Sequence, residues 1–87
     1  MTLRIERSLR EGVTILKLVG QISSSDLEHL AAQLTASDTR MVLDLDELTL
    51  VDAAVVRFLG TSEASGVELL NCAPYIREWI RREKERQ

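Results

Sequence analysis

The 87 residues, 45% of them hydrophobic, are enough for one small domain, and near this length a domain buries about 60 to 65% of the surface its unfolded chain exposes. Charged residues make up 29% of the chain and leave a formal net charge of -3, a field too weak and of the wrong sign to gather nucleic acid, so no nucleic-acid partner is expected. No stretch approaches the roughly 18 apolar residues that cross a bilayer, which predicts a cytoplasmic protein without direct membrane insertion.

From Leu3 to Arg7 the apolar Leu3 and Ile5 alternate with polar neighbours, and beyond the turn signal Glu11-Gly12 the run Val13 to Val19 is rich in β-branched residues. These two segments predict a hairpin. The second is apolar on both sides apart from Lys17, which places it inside a sheet. After Gly20 comes a run of serines, and Ser25 with Glu28 has the spacing of a capping box before Leu27, Leu30, Ala31 and Leu34, which share one helical face. A polar break from Ser37 to Arg40 leads to the strand-like run Met41 to Leu45. Strand, helix, strand implies a parallel pair with a right-handed crossover.

The pattern repeats where Asp52 precedes a helix with Ala54, Val55, Phe58 and Leu59 on one face, closed by Ser65-Gly66 and followed by the strand Val67 to Leu70. The lone Cys72 can form no internal disulfide and suits a reducing compartment as a small apolar side chain. Pro74 then opens a helix carrying Ile76, Trp79 and Ile80 on one side, ending in the charged tail Arg81 to Gln87. With Phe58, Tyr75 and Trp79 the only aromatics, the core falls to Leu, Ile, Val and Ala. The expected fold is α/β, a single domain over residues 1–87, with one small mixed sheet in the order ββαβαβα and its helices packed mainly on one face.

Over nearly its whole length this pattern resembles the STAS domains of anti-sigma-factor antagonists. The resemblance is carried by the strand ending in Gly20, by Met41-Val42-Leu43-Asp44-Leu45, by Leu50-Val51-Asp52 opening a helix with Phe58-Leu59, by Gly66-Val67-Glu68-Leu69-Leu70-Asn71 and by the helix begun at Pro74. The chain ends soon after that helix, so further C-terminal elements found in many family members are expected to be absent. In the family an aspartate, two small hydroxyl residues and a glycine follow the third strand, and a partner kinase phosphorylates the first hydroxyl. Here those positions read Asp52, Ala53, Ala54 and Val55, so Ala53 occupies the usual serine position and no phosphorylation is expected there. Asp52 sits where an N-cap belongs, with its carboxylate in reach of the amides of Ala54 or Val55, while Val51 and Val56 take the positions of a hydrophobic staple. The nearest hydroxyls along the chain, on Thr49, Thr61 and Ser62, lie away from that helix start.

Asp44, Asp46, Glu47 and Asp52 raise the question of a magnesium site, but no phosphate-binding glycine loop accompanies them, and no metal or cofactor is expected. His29, the only histidine, lies on the helix after Ser25 and nothing joins it to the serines in a recognisable triad, so no catalytic residues and no enzyme activity are expected. The resemblance implies a non-enzymatic regulatory module that binds another protein, an anti-sigma-factor or serine-kinase-like protein or a transporter component, through Asp52, Ala53, Ala54, Val55 and Arg57. The alternative is a STAS-like accessory subunit of a membrane transporter or a nucleotide-binding domain. An exposed first strand also leaves a homodimer open.

Overall fold

The computed structural model describes residues 3–35 and 40–86. The hairpin comes first, β1 (Arg4–Arg10) antiparallel to β2 (Val13–Gln21). Its two-residue connection holds both Glu11 (φ 52°) and Gly12 (φ 79°) in the left-handed region, the backbone sense that matches the twist of the flanking strands. β1 runs on past the expected Arg7 because its pairing with β2 continues through Ser8, Leu9 and Arg10, and β2 runs on past Val19 to Gln21, where a later short strand pairs with it.

A 3-10 turn at Ser24–Asp26 leads into α1 (Leu27–Thr35). The expected capping box of Ser25 and Glu28 is not the one that forms. Ser23 is the N-cap, and the Asp26 carboxylate accepts the Ser23 backbone N–H at 3.0 Å, so the helical path begins two residues earlier and the Ser25 hydroxyl meets that of Ser23 instead. A shorter acid returning to the cap suits the tighter 3-10 geometry. Of the expected polar break only Arg40 is described, and it opens β3 (Arg40–Asp44); Ser37 to Thr39 lie outside the described residues.

β3 runs parallel to β2 from Arg40 to Asp44. After a turn at Asp46-Glu47 the chain continues in the same direction as β4 (Leu48–Leu50), parallel to β2 at Gly20 and Gln21, with a register irregularity between those two. This strand is absent from the expected order. It is short, and only Leu48 of its residues is buried, so it leaves no periodic signal. α2 (Ala53–Ala64), β5 (Glu68–Leu70), parallel to β3, and α3 (Pro74–Glu85) complete the chain. The described residues thus form a mixed sheet of five strands, ordered β1-β2-β3-β5 with β4 beside β2, and three helices.

Cross-strand register assigns the faces. Ile5, Leu16, Leu18, Met41, Leu43 and Leu69 share one face, and all but the half-buried Ile5 are buried there. These strand residues form one cluster with Leu30 of α1, Val55, Val56 and Leu59 of α2, and Ile76 and Ile80 of α3. All three helices therefore cover the same face. Val42 points the other way, is 5% exposed and lies outside that cluster, beside Ile15 and under the Arg40–Glu68 ion pair. α3 approaches α2 at Gly60, where a Cβ would meet Cγ2 of Ile80 at 3.3 Å. Leu43 has no exposed surface and lies on β3, between β2 and β5. Leu43→Ala is expected to lower unfolding free energy by about 2 to 5 kcal/mol in urea titrations.

Candidate functional site

The site begins with Val51, Asp52 and the first turn of α2. Asp52 adopts an extended backbone (φ -114°, ψ 178°), and its Oδ1 accepts the Val55 N–H at 2.9 Å. Its other oxygen, Oδ2, accepts the Ser24 N–H at 3.2 Å. One carboxylate thus satisfies an amide at the start of α2 and another in the 3-10 turn ahead of α1. Val51 and Val56, the staple positions, are both buried in the core.

Around this cap Ala53 and Ala54 are half-buried and Arg57 is exposed. Arg57 reaches across to Glu83 of α3, with Nη1 donating to Oε1 at 3.5 Å. Val55 does not belong on a docking surface. As the third helical residue it turns its side chain fully into the core, and only its N–H, held by Asp52, serves the site. Leu50, two residues before the cap and 53% exposed, supplies an apolar side chain in that neighbourhood that the sequence pattern does not single out.

Ser23, Ser24 and Ser25, about thirty positions earlier than Asp52 in the chain, are brought against the start of α2 by the Asp52–Ser24 hydrogen bond, whereas along the sequence Thr49, Thr61 and Ser62 are closer. Ser62 is buried. No sequence signal marks this approach, because it depends on β2 and β4 ending side by side, where Ile22 donates its N–H to the Leu50 carbonyl at 3.1 Å.

Each of the remaining acidic residues has a local partner or stands in solvent. Asp44 Oδ1 accepts both the Asp46 N–H and the Asn71 side-chain amide at 3.0 Å, and Asn71 holds the left-handed backbone that asparagine tolerates well. Glu47 pairs with Lys17, and as acceptor of the Lys17 hydrogen bond it raises the pKa of that ammonium above its ordinary value. Asp46 is exposed. Among the described residues no three His, Cys, Asp or Glu side chains come together as a metal site. Burial pushes the Cys72 thiol up, away from the reactive thiolate. Ser25 and His29, one helical turn apart, line a common groove, but among the described residues no hydrogen bond joins them.

No protein-family model matches the chain, and no curated protein matches it in sequence. Solved structures do. An antisigma-factor antagonist STAS domain from Rhodobacter sphaeroides superposes with a TM-score of 0.60 at 17% identity, covering 80% of this chain and 87% of that one. The fold is that of a STAS domain. SpoIIAA, an anti-sigma factor antagonist solved in its unphosphorylated form, superposes with a TM-score of 0.61 at 19% identity, covering 91% of this chain and 81% of its own. Among the described residues no helix of this STAS-like fold is long and apolar enough to cross a membrane.

Because the Asp52 carboxylate serves two helix starts, Asp52→Ala is expected to destabilise the fold by about 1 to 2 kcal/mol in denaturant titrations, and Asp52→Asn by less, since the amide oxygen still caps α2.

Proposed function

We propose that the chain is a non-enzymatic regulatory module that binds another protein through the start of α2, using Asp52, Ala53, Ala54 and Arg57, without a phosphorylation switch at that helix. The observation that carries this reading is the Asp52-capped start of α2 in a STAS-like fold, presented beside Arg57 and the exposed Leu50, with alanine at both positions after the cap. The solved structures it resembles are anti-sigma-factor antagonists, which supports a regulatory role exercised by contact.

Physical chemistry explains how such a surface works without the switch. Alanine has no oxygen to take a phosphoryl group, so neither Ala53 nor Ala54 can be modified as a hydroxyl residue would be. Each presents a single methyl group, which lets a partner approach the helix backbone closely, while Leu50 offers apolar area and the exposed Arg57 a charge-assisted contact. Binding then follows partner concentration alone, or a modification of the partner.

The test is calorimetry with a partner co-purified from native lysate. Ala53→Asp, which places a carboxylate in the first turn, is expected to weaken binding by about tenfold or more with little change in folding stability, since an acid is compatible with a helix N-terminus. Unchanged affinity would reject this surface.

A further inference from the structure

β1 forms one edge of the sheet, hydrogen-bonded to β2 on one side, and among the described residues no strand pairs with its other side. Seven residues long, without proline or bulge, it keeps only charged side chains among the usual defences of a free edge. What it carries is positive charge, with Arg4, Arg7 and Arg10 against the single Glu6 in a chain whose net charge is -3. Arg4 is paired with Glu6 at 2.7 Å, but among the described residues Arg7 and Arg10 take part in no ion pair. Between them stands Leu9, which at 66% is the most exposed large hydrophobic residue described.

Beside this edge, on the helix-covered face, lies a groove of about 600 Å³ between β1 and α1. Leu3, Ile5 and Arg7 line its strand side, and Ser25, His29 and Gln33, spaced one turn apart, line its helix side together with Asp26, whose carboxylate is engaged by the Ser23 N–H. Half-buried Leu3 and Ile5 give that groove apolar surface, and Arg7 gives it a cation.

We propose that the outer edge of β1, with the groove beside it, is a strand-addition site for an extended acidic segment of a partner protein. An added strand takes up the free backbone groups of β1, and its side chains alternate between the two faces of the sheet. Those on the helix-covered face enter the groove, where an apolar one rests on Leu3 and Ile5 and an acidic one meets Arg7. On the opposite face, Arg10 receives a second acid. Charge complementarity sets the choice of occupant. A second copy of this chain would bring β1 against β1 and gather six arginines around two glutamates, whereas an acidic strand neutralises Arg7 and Arg10 directly. The groove nears the start of α2 only through Ser25, whereas Arg7 and Arg10 pair with the Leu16 and Val13 end of β2, so either reading can fail alone.

The probe is a fluorescein-labelled peptide of valine and glutamate, Glu-Val-Val-Glu-Val-Val-Glu, which is as long as the seven residues of β1 and sets valine and acid on both faces, titrated with the full chain in fluorescence anisotropy. Saturable binding is expected, weakening as salt rises. The double substitution Arg7→Glu with Arg10→Glu should weaken it by about tenfold or more. On the unmodified protein, methylating alternate backbone nitrogens of the peptide should abolish binding, a readout that holds even if the double variant folds poorly. Absence of binding, equal binding of a valine–lysine peptide, or full binding of the methylated peptide would overturn the proposal. So would concentration-dependent dimerisation in sedimentation that the free peptide does not disrupt, since the occupant of the edge would then be a second copy.

Discussion

Parallel pairing of β2 with β3, and of β3 with β5, is the constraint from which the rest of the molecule follows. Parallel neighbours cannot be joined by a tight turn, so each junction must travel back along the sheet, and a helix is the economical way to do so. Both crossovers step the same way across the sheet, from β2 to β3 and from β3 to β5, and the right-handed sense of such connections then sets α1 and α2 on one face. The core cluster records that outcome, for it gathers strand residues of one face only. The same constraint leaves β1, the antiparallel addition, at the rim.

It also decides where the helices begin. Each crossover helix starts near the end of a parallel strand, so the starts of α2 and of the turn before α1 fall together where β2 and β4 end. Asp52 answers the exposed amides of both. A carboxylate there serves structure before it serves any partner, and the aspartate would remain useful in a relative with no binding role. The two residues behind it, Ala53 and Ala54, are half-buried and stand outside the core cluster.

Much of this was legible in the sequence, and what was not has physical reasons. The turn at Glu11-Gly12, the cap at Asp52 and the helix opened by Pro74 are written in residues whose chemistry is local, so position along the chain is enough to find them. β4 escaped because it is held by pairing with β2 and not by periodicity of its own. Ser23 rather than Ser25 is the N-cap because a 3-10 turn precedes α1, and Asp26 stands at the same three-residue spacing from Ser23 as Glu28 does from Ser25. At the site Arg57 is exposed, Asp52, Ala53 and Ala54 are half-buried, and Val55 is fully buried, since the third helical position faces the sheet. The arrival of Ser24 beside Asp52, like the groove that joins β1 to His29, is a product of topology alone.

Gly60 bears on how the protein can change over time. Exposed side chains on α2 and α3, such as Arg57 and Arg82, can change in size without meeting the core. Opposite Ile80 the spacing between the helices is set by a missing side chain. Alanine there asks the Ile80 methyl to yield by a few tenths of an ångström, but any longer residue requires α3 itself to move. Since Arg57, at the start of α2, is tied to Glu83 on α3, such a move would be felt at the surface where a partner is read. Tolerance to mutation is therefore uneven along this seam, and its narrowest point lies where nothing functional is visible.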